Sequence, residues 1–160
     1  MGDKAYSLPY MVSMPKVLSL PPNVRSVSAK EISVLAWIED AFGNVLVIRQ
    51  RAGKQLWSLP GGKVRSAEGL KRALSRELKE EIGLSVVSAR VVDLFDRPMR
   101  SGLAVLFVVK LRAGKLKLGE NEIQDAAFVG KLPRNSTPSL KFFWKRRFSA
   151  GTLRGNCLDL

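Results

Sequence analysis

The sequence predicts an α/β fold, on three observations. Apolar runs of strand length, rich in valine, leucine and isoleucine, recur along the chain. One thirteen-residue stretch places its apolar residues at helical spacing, and an aromatic-rich segment with the same spacing closes the domain. Glu31 to Glu39 (EISVLAWIE) reads as a buried strand, Asp40-Ala41-Phe42-Gly43-Asn44 as a turn, and Val45 to Arg51 as the return strand of a hairpin. Trp57 to Val64 is a short strand leading into a glycine turn at Gly61-Gly62. Leu70 to Ile82 is a helix whose Leu70, Ala73, Leu74 and Leu78 fall at i, i+3, i+4 and i+8, and Gly83 ends it. Val86 to Phe95 and Leu103 to Leu111 are two core strands, and Ala126 to Val129 is a shorter one.

A closing helix begins after Pro138. Its Leu140, Phe143, Trp144 and Phe148 recur at helical spacing, while Lys141, Lys145 and Arg146 lie elsewhere. An apolar stripe docked on the sheet is the favoured reading; aromatics interleaved with cations that stack bases and hold phosphates are the alternative. Trp37 and Trp57 are read in the same way, as core or supporting residues.

At 160 residues and 46% hydrophobic content, the chain can bury one core and has no room for two ordinary domains. The expected organisation is an N-terminal extension over 1–30, a folded domain over 31–150 and a tail over 151–160. The extension is broken by Pro9, Pro15, Pro21 and Pro22, and lacks the uninterrupted apolar core of a signal peptide. No stretch approaches the ~18 consecutive apolar residues of a membrane span. Cys157 is the single cysteine, which excludes an internal disulfide and suits a reducing cytoplasm. The absence of histidine excludes histidine triads, HExxH zinc sites and histidine bases together. Carboxylate chemistry is what remains.

The most informative stretch runs from Gly62 to Leu84. Glu77, Glu80 and Glu81 span an arc of only about 100° on the expected helix. Three carboxylates side by side repel one another, so a sequence that keeps them together implies a shared cation. Oxygen ligands of this kind suit Mg²⁺ or Mn²⁺, which complete their shells with water and substrate phosphate. Gly61 and Gly62 allow a tight turn that brings a backbone carbonyl toward such an ion, so Gly61 joins Glu77, Glu80 and Glu81 as a candidate ligand. Arg76 cannot be a base, because its guanidinium stays charged.

Gly62, Glu68, Arg76, Glu77, Leu78, Glu80, Glu81, Gly83 and Leu84 together resemble the Nudix box of the Nudix hydrolases, the MutT-like pyrophosphohydrolases. The box covers 23 residues, and weaker similarity extends back through Trp57-Ser58-Leu59-Pro60-Gly61. The resemblance implies a mixed β-sheet sandwiched between α-helices, with the box loop and helix at its functional edge. It also implies that Arg76, paired with Glu68, orients a ligand carboxylate. Glu81, or a glutamate on a distant loop, would accept the proton of the attacking water. Glu120 and Glu122 are the loop candidates, of which Glu122 is carried forward; their other reading is as surface carboxylates. Where family members often carry an acidic residue, proline and glycine, this chain has Arg65, Ser66 and Ala67. Loss of that glycine could change the loop, although none of the three is a defining position.

The expected activity is divalent-metal-dependent hydrolysis of a pyrophosphate bond in a nucleoside diphosphate derivative: a nucleoside triphosphate, ADP-ribose or a sugar nucleotide. Pro98, fourteen residues past Leu84, resembles the proline of ADP-ribose hydrolases but sits slightly off register. Arg97 and Arg100, which flank it, are candidates for phosphate or ribose contacts. The formal charge of +13, from 27 Lys and Arg against 14 Asp and Glu, attracts polyanions. Steering of small phosphorylated substrates is the favoured reading of it, ahead of nucleic acid. The alternatives are an RNA 5′-end pyrophosphohydrolase and a non-catalytic nucleotide-binding regulator, the latter disfavoured by an intact box. Homodimerisation stays open.

Overall fold

The computed structural model describes residues 31–97 and 102–150, with side chains as far as Arg146. Pro98, Arg100, Phe148, Cys157 and the segments 1–30 and 151–160 lie outside the described residues or side chains. The order is β1 (Glu31–Trp37), β2 (Val45–Gln50), β3 (Trp57–Ser58), α1 (Leu70–Ile82), β4 (Val86–Arg97), β5 (Gly102–Leu111), β6 (Ile123–Val129) and α2 (Pro138–Ala150).

Among the described residues the strands form two three-stranded sheets. In the first, ordered β1-β5-β4, β1 runs parallel to β5 and β4 antiparallel to it; the second, ordered β3-β2-β6, is antiparallel. The mixed sheet lies between the two helices, because alternate residues of β1 enter different cores. Val34 and Ala36 join Leu46, Ile48 and Phe107 against Ala73, Leu74, Leu78 and Ile82 of α1. Trp37, with Leu106, Val45 and Val47, meets Leu140, Phe143 and Trp144 of α2. No helix among the described residues is long and apolar enough to cross a membrane.

The expected β1–β2 hairpin is only a corner. Asp40 closes the turn, its carboxylate accepting from the Phe42 and Asn44 amides at 2.9 and 2.8 Å, and a Glu39–Val45 bridge follows. From there the strands part into different sheets. Trp57 to Val64 is likewise not one strand: Trp57–Ser58 pairs with β2, after which the chain crosses to β1. The Val34 and Ala36 amides donate to the Gly62 and Pro60 carbonyls, and the Val64 amide donates to Ile32. This crossing ties the glycine turn to the mixed sheet.

Helix α1 has the expected bounds. Gly83 closes it in the left-handed conformation at φ 72°, its amide returning to the Lys79 carbonyl. The β5–β6 loop caps the remaining end, with the Lys117 amide donating to the Ile82 carbonyl and the Gly119 amide to that of Glu81. A β-carbon on Gly119 would sit 2.5 Å from the Glu80 carbonyl oxygen, so the loop can press this close only with glycine there. Strand β6 begins at Ile123, three residues earlier than expected, and its pairing with β2 shifts register between Ile123, opposite Gln50, and Asp125, opposite Arg49.

Helix α2 is capped by the Thr137 hydroxyl, which accepts from the Leu140 amide, with Pro138 in the first turn. Its aromatics are used in packing. Phe142 lies 4.7 Å from the Phe95 ring, Trp144 lies 5.7 Å from Trp37, and Arg146 bonds Asp93 at 2.6 Å.

Candidate active site

The glycine turn is built around two carboxylates. Gly61 has φ 130°, and a β-carbon there would fall 2.1 Å from the Val34 carbonyl oxygen. Its amide is thereby aimed at α1, where it donates to Glu81 Oε2 at 2.7 Å. A β-carbon on Gly62 would meet the Glu77 carboxylate at 2.6–2.7 Å, so the missing side chain is the space that Glu77 occupies. The Gly62 carbonyl faces the Val34 amide in the sheet. The sequence reading had the glycines turning the backbone to bring the Gly61 carbonyl toward an ion; the contacts seen are the Gly61 amide donated to Glu81 and room made at Gly62 for Glu77.

Arg76 is the hub of the helix face. Its Nε and Nη2 grip the two oxygens of Glu68 at 2.9 Å each, Nη2 also bonds the Lys63 carbonyl at 3.0 Å, and Nη1 bonds Glu77 at 2.7 Å and Glu80 at 3.1 Å. All five guanidinium hydrogens thus have acceptors. The hydrogen bonds from Arg76, with one from the Arg65 amide, hold the Glu68 carboxyl down at about 2. The same bonds, led by Glu68, push the Arg76 guanidinium up.

Glu81 is in the opposite condition. It is 3% exposed, and burial pushes its carboxyl up to about 8, the Gly61 amide opposing and the charges of Glu77, Glu122 and Glu80 adding to the rise. Of the two loop candidates, Glu122 is the one close enough to act on Glu81 electrostatically. Its placement follows from the capped loop, since the Glu122 amide bonds the Gly119 carbonyl and its own carbonyl takes the Arg51 amide.

Among the described residues, no three His, Cys, Asp or Glu side chains are already gathered to hold a metal ion. Glu77 and Glu80 each take a hydrogen bond from Arg76, and Glu81 takes one from the Gly61 amide. The donor chemistry nonetheless fits a hard divalent cation. Every side chain concerned offers carboxylate oxygen, and the buried Glu81 faces negative neighbours that a cation would balance.

Beside the glycine turn opens a cavity of about 720 Å³. Gly61, Gly62 and Lys63 form one wall, and Phe95 and Arg97 of β4 another. Arg97 reaches across Gly102 to donate from Nη2 to the Ser33 hydroxyl at 2.7 Å, while its buried Nε has no hydrogen-bond partner among the described residues. Sequence reasoning missed Ser33 and Phe95. Ser33 is the one small polar residue inside the apolar run EISVLAWIE, and Phe95 shares a strand face with Arg97 two residues on.

A sequence model of the NUDIX domain matches residues 29–133, well over half of the chain. The chain belongs to the NUDIX family. It is 51% identical over 84 residues to an 8-oxo-dGTP diphosphatase of Buchnera aphidicola subsp. Schizaphis graminum, covering 52% of this chain and 65% of that protein. It is 29% identical over 104 residues to an ADP-ribose pyrophosphatase of Methanocaldococcus jannaschii, covering 61% and 59%. The match thus spans less than two thirds of either relative. A MutT protein from Methanosarcina mazei Go1 superposes with a TM-score of 0.61 at 27% identity, over 76% of this chain and 95% of that one. A MutT NUDIX hydrolase from Burkholderia pseudomallei reaches 0.66 at 22% identity, over 72% and 96%, and shows the fold.

Proposed function

We propose that this NUDIX protein hydrolyses the pyrophosphate bond of a nucleoside diphosphate derivative, a nucleoside triphosphate or ADP-ribose being the leading classes. The observation that carries the reading is Glu81: a buried carboxylate held on the Gly61 amide, beside Glu77 and Glu80, where the glycine turn borders the cavity. Glu77, Glu80 and Glu81, with the Gly61 carbonyl, would hold Mg²⁺ or Mn²⁺. Such an ion neutralises a diphosphate and lowers the pKa of bound water. Glu81 would serve as base in its ionised form, which a cation beside it would favour against the burial that raises its carboxyl to about 8 in cation-free protein, with Glu122 as the loop alternative. Arg76 and Glu68 position that face of α1 and contribute no proton. Arg97, in the wall of the cavity, offers a positive charge to a phosphate there, and Phe95 offers an apolar wall. A small nucleotide substrate is the partner implied, and the single cysteine supports a cytoplasmic setting.

The decisive experiment is a panel of 8-oxo-dGTP, dGTP, ADP-ribose and sugar nucleotides, assayed for product release with Mg²⁺, with Mn²⁺ and with EDTA. Release of nucleoside monophosphate from at least one of them, abolished by EDTA and restored by either metal, is expected. Full turnover in the presence of chelator would overturn the mechanism.

A further inference from the structure

Two arginines contact Glu80, and they are held very differently. Arg76 Nη1 lies 3.1 Å from Glu80 Oε2, but that guanidinium is 16% exposed and its five hydrogens are all engaged. Arg65 Nη2 lies 3.6 Å from the other oxygen, Oε1, with its side chain 65% exposed and that of Glu80 43% exposed. The backbone of Arg65 is fixed, since its amide donates to Glu68 Oε2 at 3.0 Å. The side chain therefore swings from a fixed point while the carboxylate it meets sits on the box helix. A single contact of this length between exposed groups is weak. Arg65 is the arginine that can leave Glu80; Arg76 is the one that cannot.

We propose that Arg65 is an internal counter-ion of the cation site, holding Glu80 while the site is empty and yielding it to an incoming divalent ion. The proposal rests on the reading of Glu80 as a cation ligand and goes beyond it by assigning Arg65 a positioning role that sets cation affinity. Its physical basis is charge. A guanidinium a few ångströms from a cation ligand must be displaced, and once displaced it still repels a divalent ion across one side-chain length. The positive charge at 65 thus weakens cation binding, and an acidic residue at the same place would strengthen it.

The test is Mn²⁺ binding to the full chain by calorimetry, at low ionic strength and without substrate. Removing one positive charge about a side-chain length from a divalent ion in a water-like dielectric should tighten binding roughly threefold to tenfold. Arg65→Ala and Arg65→Gln should both show this, Arg65→Lys should bind as wild type does, and the gain should shrink at high salt. In a Glu80→Gln background the Arg65→Ala gain should be smaller, because the competition for Glu80 is gone while the repulsion across one side-chain length stays. Arg112→Ala removes an exposed charge at the end of β5, outside the box, and should leave the affinity unchanged. If Arg112→Ala tightens binding as much as Arg65→Ala, the effect is one of net charge and the proposal falls. Should Arg65→Ala bind Mn²⁺ like wild type while Glu80→Gln binds it weakly, the counter-ion role is wrong and the ligand assignment stands. Wild-type Mn²⁺ affinity in Glu80→Gln would remove the ligand assignment and the proposal with it.

Discussion

Glu81 sets function against stability within one side chain. Burying a carboxylate costs free energy unless donors or a cation meet its charge, and the neighbours Glu77, Glu122 and Glu80 make matters worse. In cation-free protein its pKa near 8, against an ordinary 4.5, means that the folded state keeps a proton which the unfolded chain releases between those values. Stability therefore falls as pH rises from about 4.5 to about 8, the reverse of the usual carboxylate behaviour. Glu68 supplies the usual behaviour: held at about 2 by Arg76, it contributes stability above 4.5 that is lost as pH falls toward 2. Glu81→Gln keeps the shape and an acceptor for the Gly61 amide while removing the ionisable group. In EDTA it should melt higher than wild type at pH 8, and its melting temperature should lose the downward slope between pH 5 and 8. Turnover should meanwhile drop roughly 10²-fold or more, about 2.7 kcal/mol of transition-state stabilisation. Parallel melting curves for the two proteins across that pH range would sink the account of Glu81.

The box loop holds a non-glycine residue in left-handed backbone. Ala67, where the resemblance to the Nudix box leads one to expect glycine, adopts φ 59°. Left-handed backbone costs an L-residue roughly 1–2 kcal/mol, partly offset by the chain entropy that glycine would lose on folding. Ala67→Gly should therefore stabilise the protein by about 0.5–1 kcal/mol in urea unfolding, with cation affinity unchanged. A destabilised Ala67→Gly would mean that the loop does not need this conformation. The loop's ends are tied, the Glu68 carboxylate taking the Arg65 amide and the Gly62 carbonyl the Val34 amide. Those ties also mark the limit of what a sequence exposes. Helix α1 was legible to both ends, since a 3.6-residue apolar period and a terminal glycine are local signals. The turn at Asp40 was local too, but nothing local says that β1 and β2 enter different sheets. That division depends on β5 and β6, whose paired residues arrive some 70 to 85 positions later in the chain. The clustering of Glu77, Glu80 and Glu81 on one helix face was readable from spacing, and Arg97 from its place beyond the box. Their partners were not: Ser33 for Arg97 and Gly61 for Glu81 are 64 and 20 residues away.

At the scale of the whole molecule, the +13 charge asks whether the substrate is a small nucleotide or a long RNA end. A single strand bound along a basic surface displaces counterions, so its affinity should fall with salt at about −0.7 per phosphate contact on logarithmic axes. A mononucleotide offers two or three phosphates, and these would meet the box glutamates through the cation, so its KM should change little. Helix α2 favours the second case. Its Leu140, Phe143 and Trp144 are buried against the sheet, Phe142 lies on Phe95, and Arg146 is spent on Asp93, which leaves these side chains poorly placed to stack bases. The cavity beside Gly61 and Gly62, about 720 Å³ with Arg97 in its wall, has the size of a site for one nucleotide. Between low and physiological salt, we therefore expect a shallow change in KM for 8-oxo-dGTP or ADP-ribose, whichever the panel selects. A 5′-triphosphorylated oligonucleotide should bind weakly, with a steep slope typical of non-specific contacts. Tight binding and rapid 5′ pyrophosphate release from that oligonucleotide, with negligible turnover of the small nucleotides, would reverse the ranking and make the surface charge part of substrate recognition.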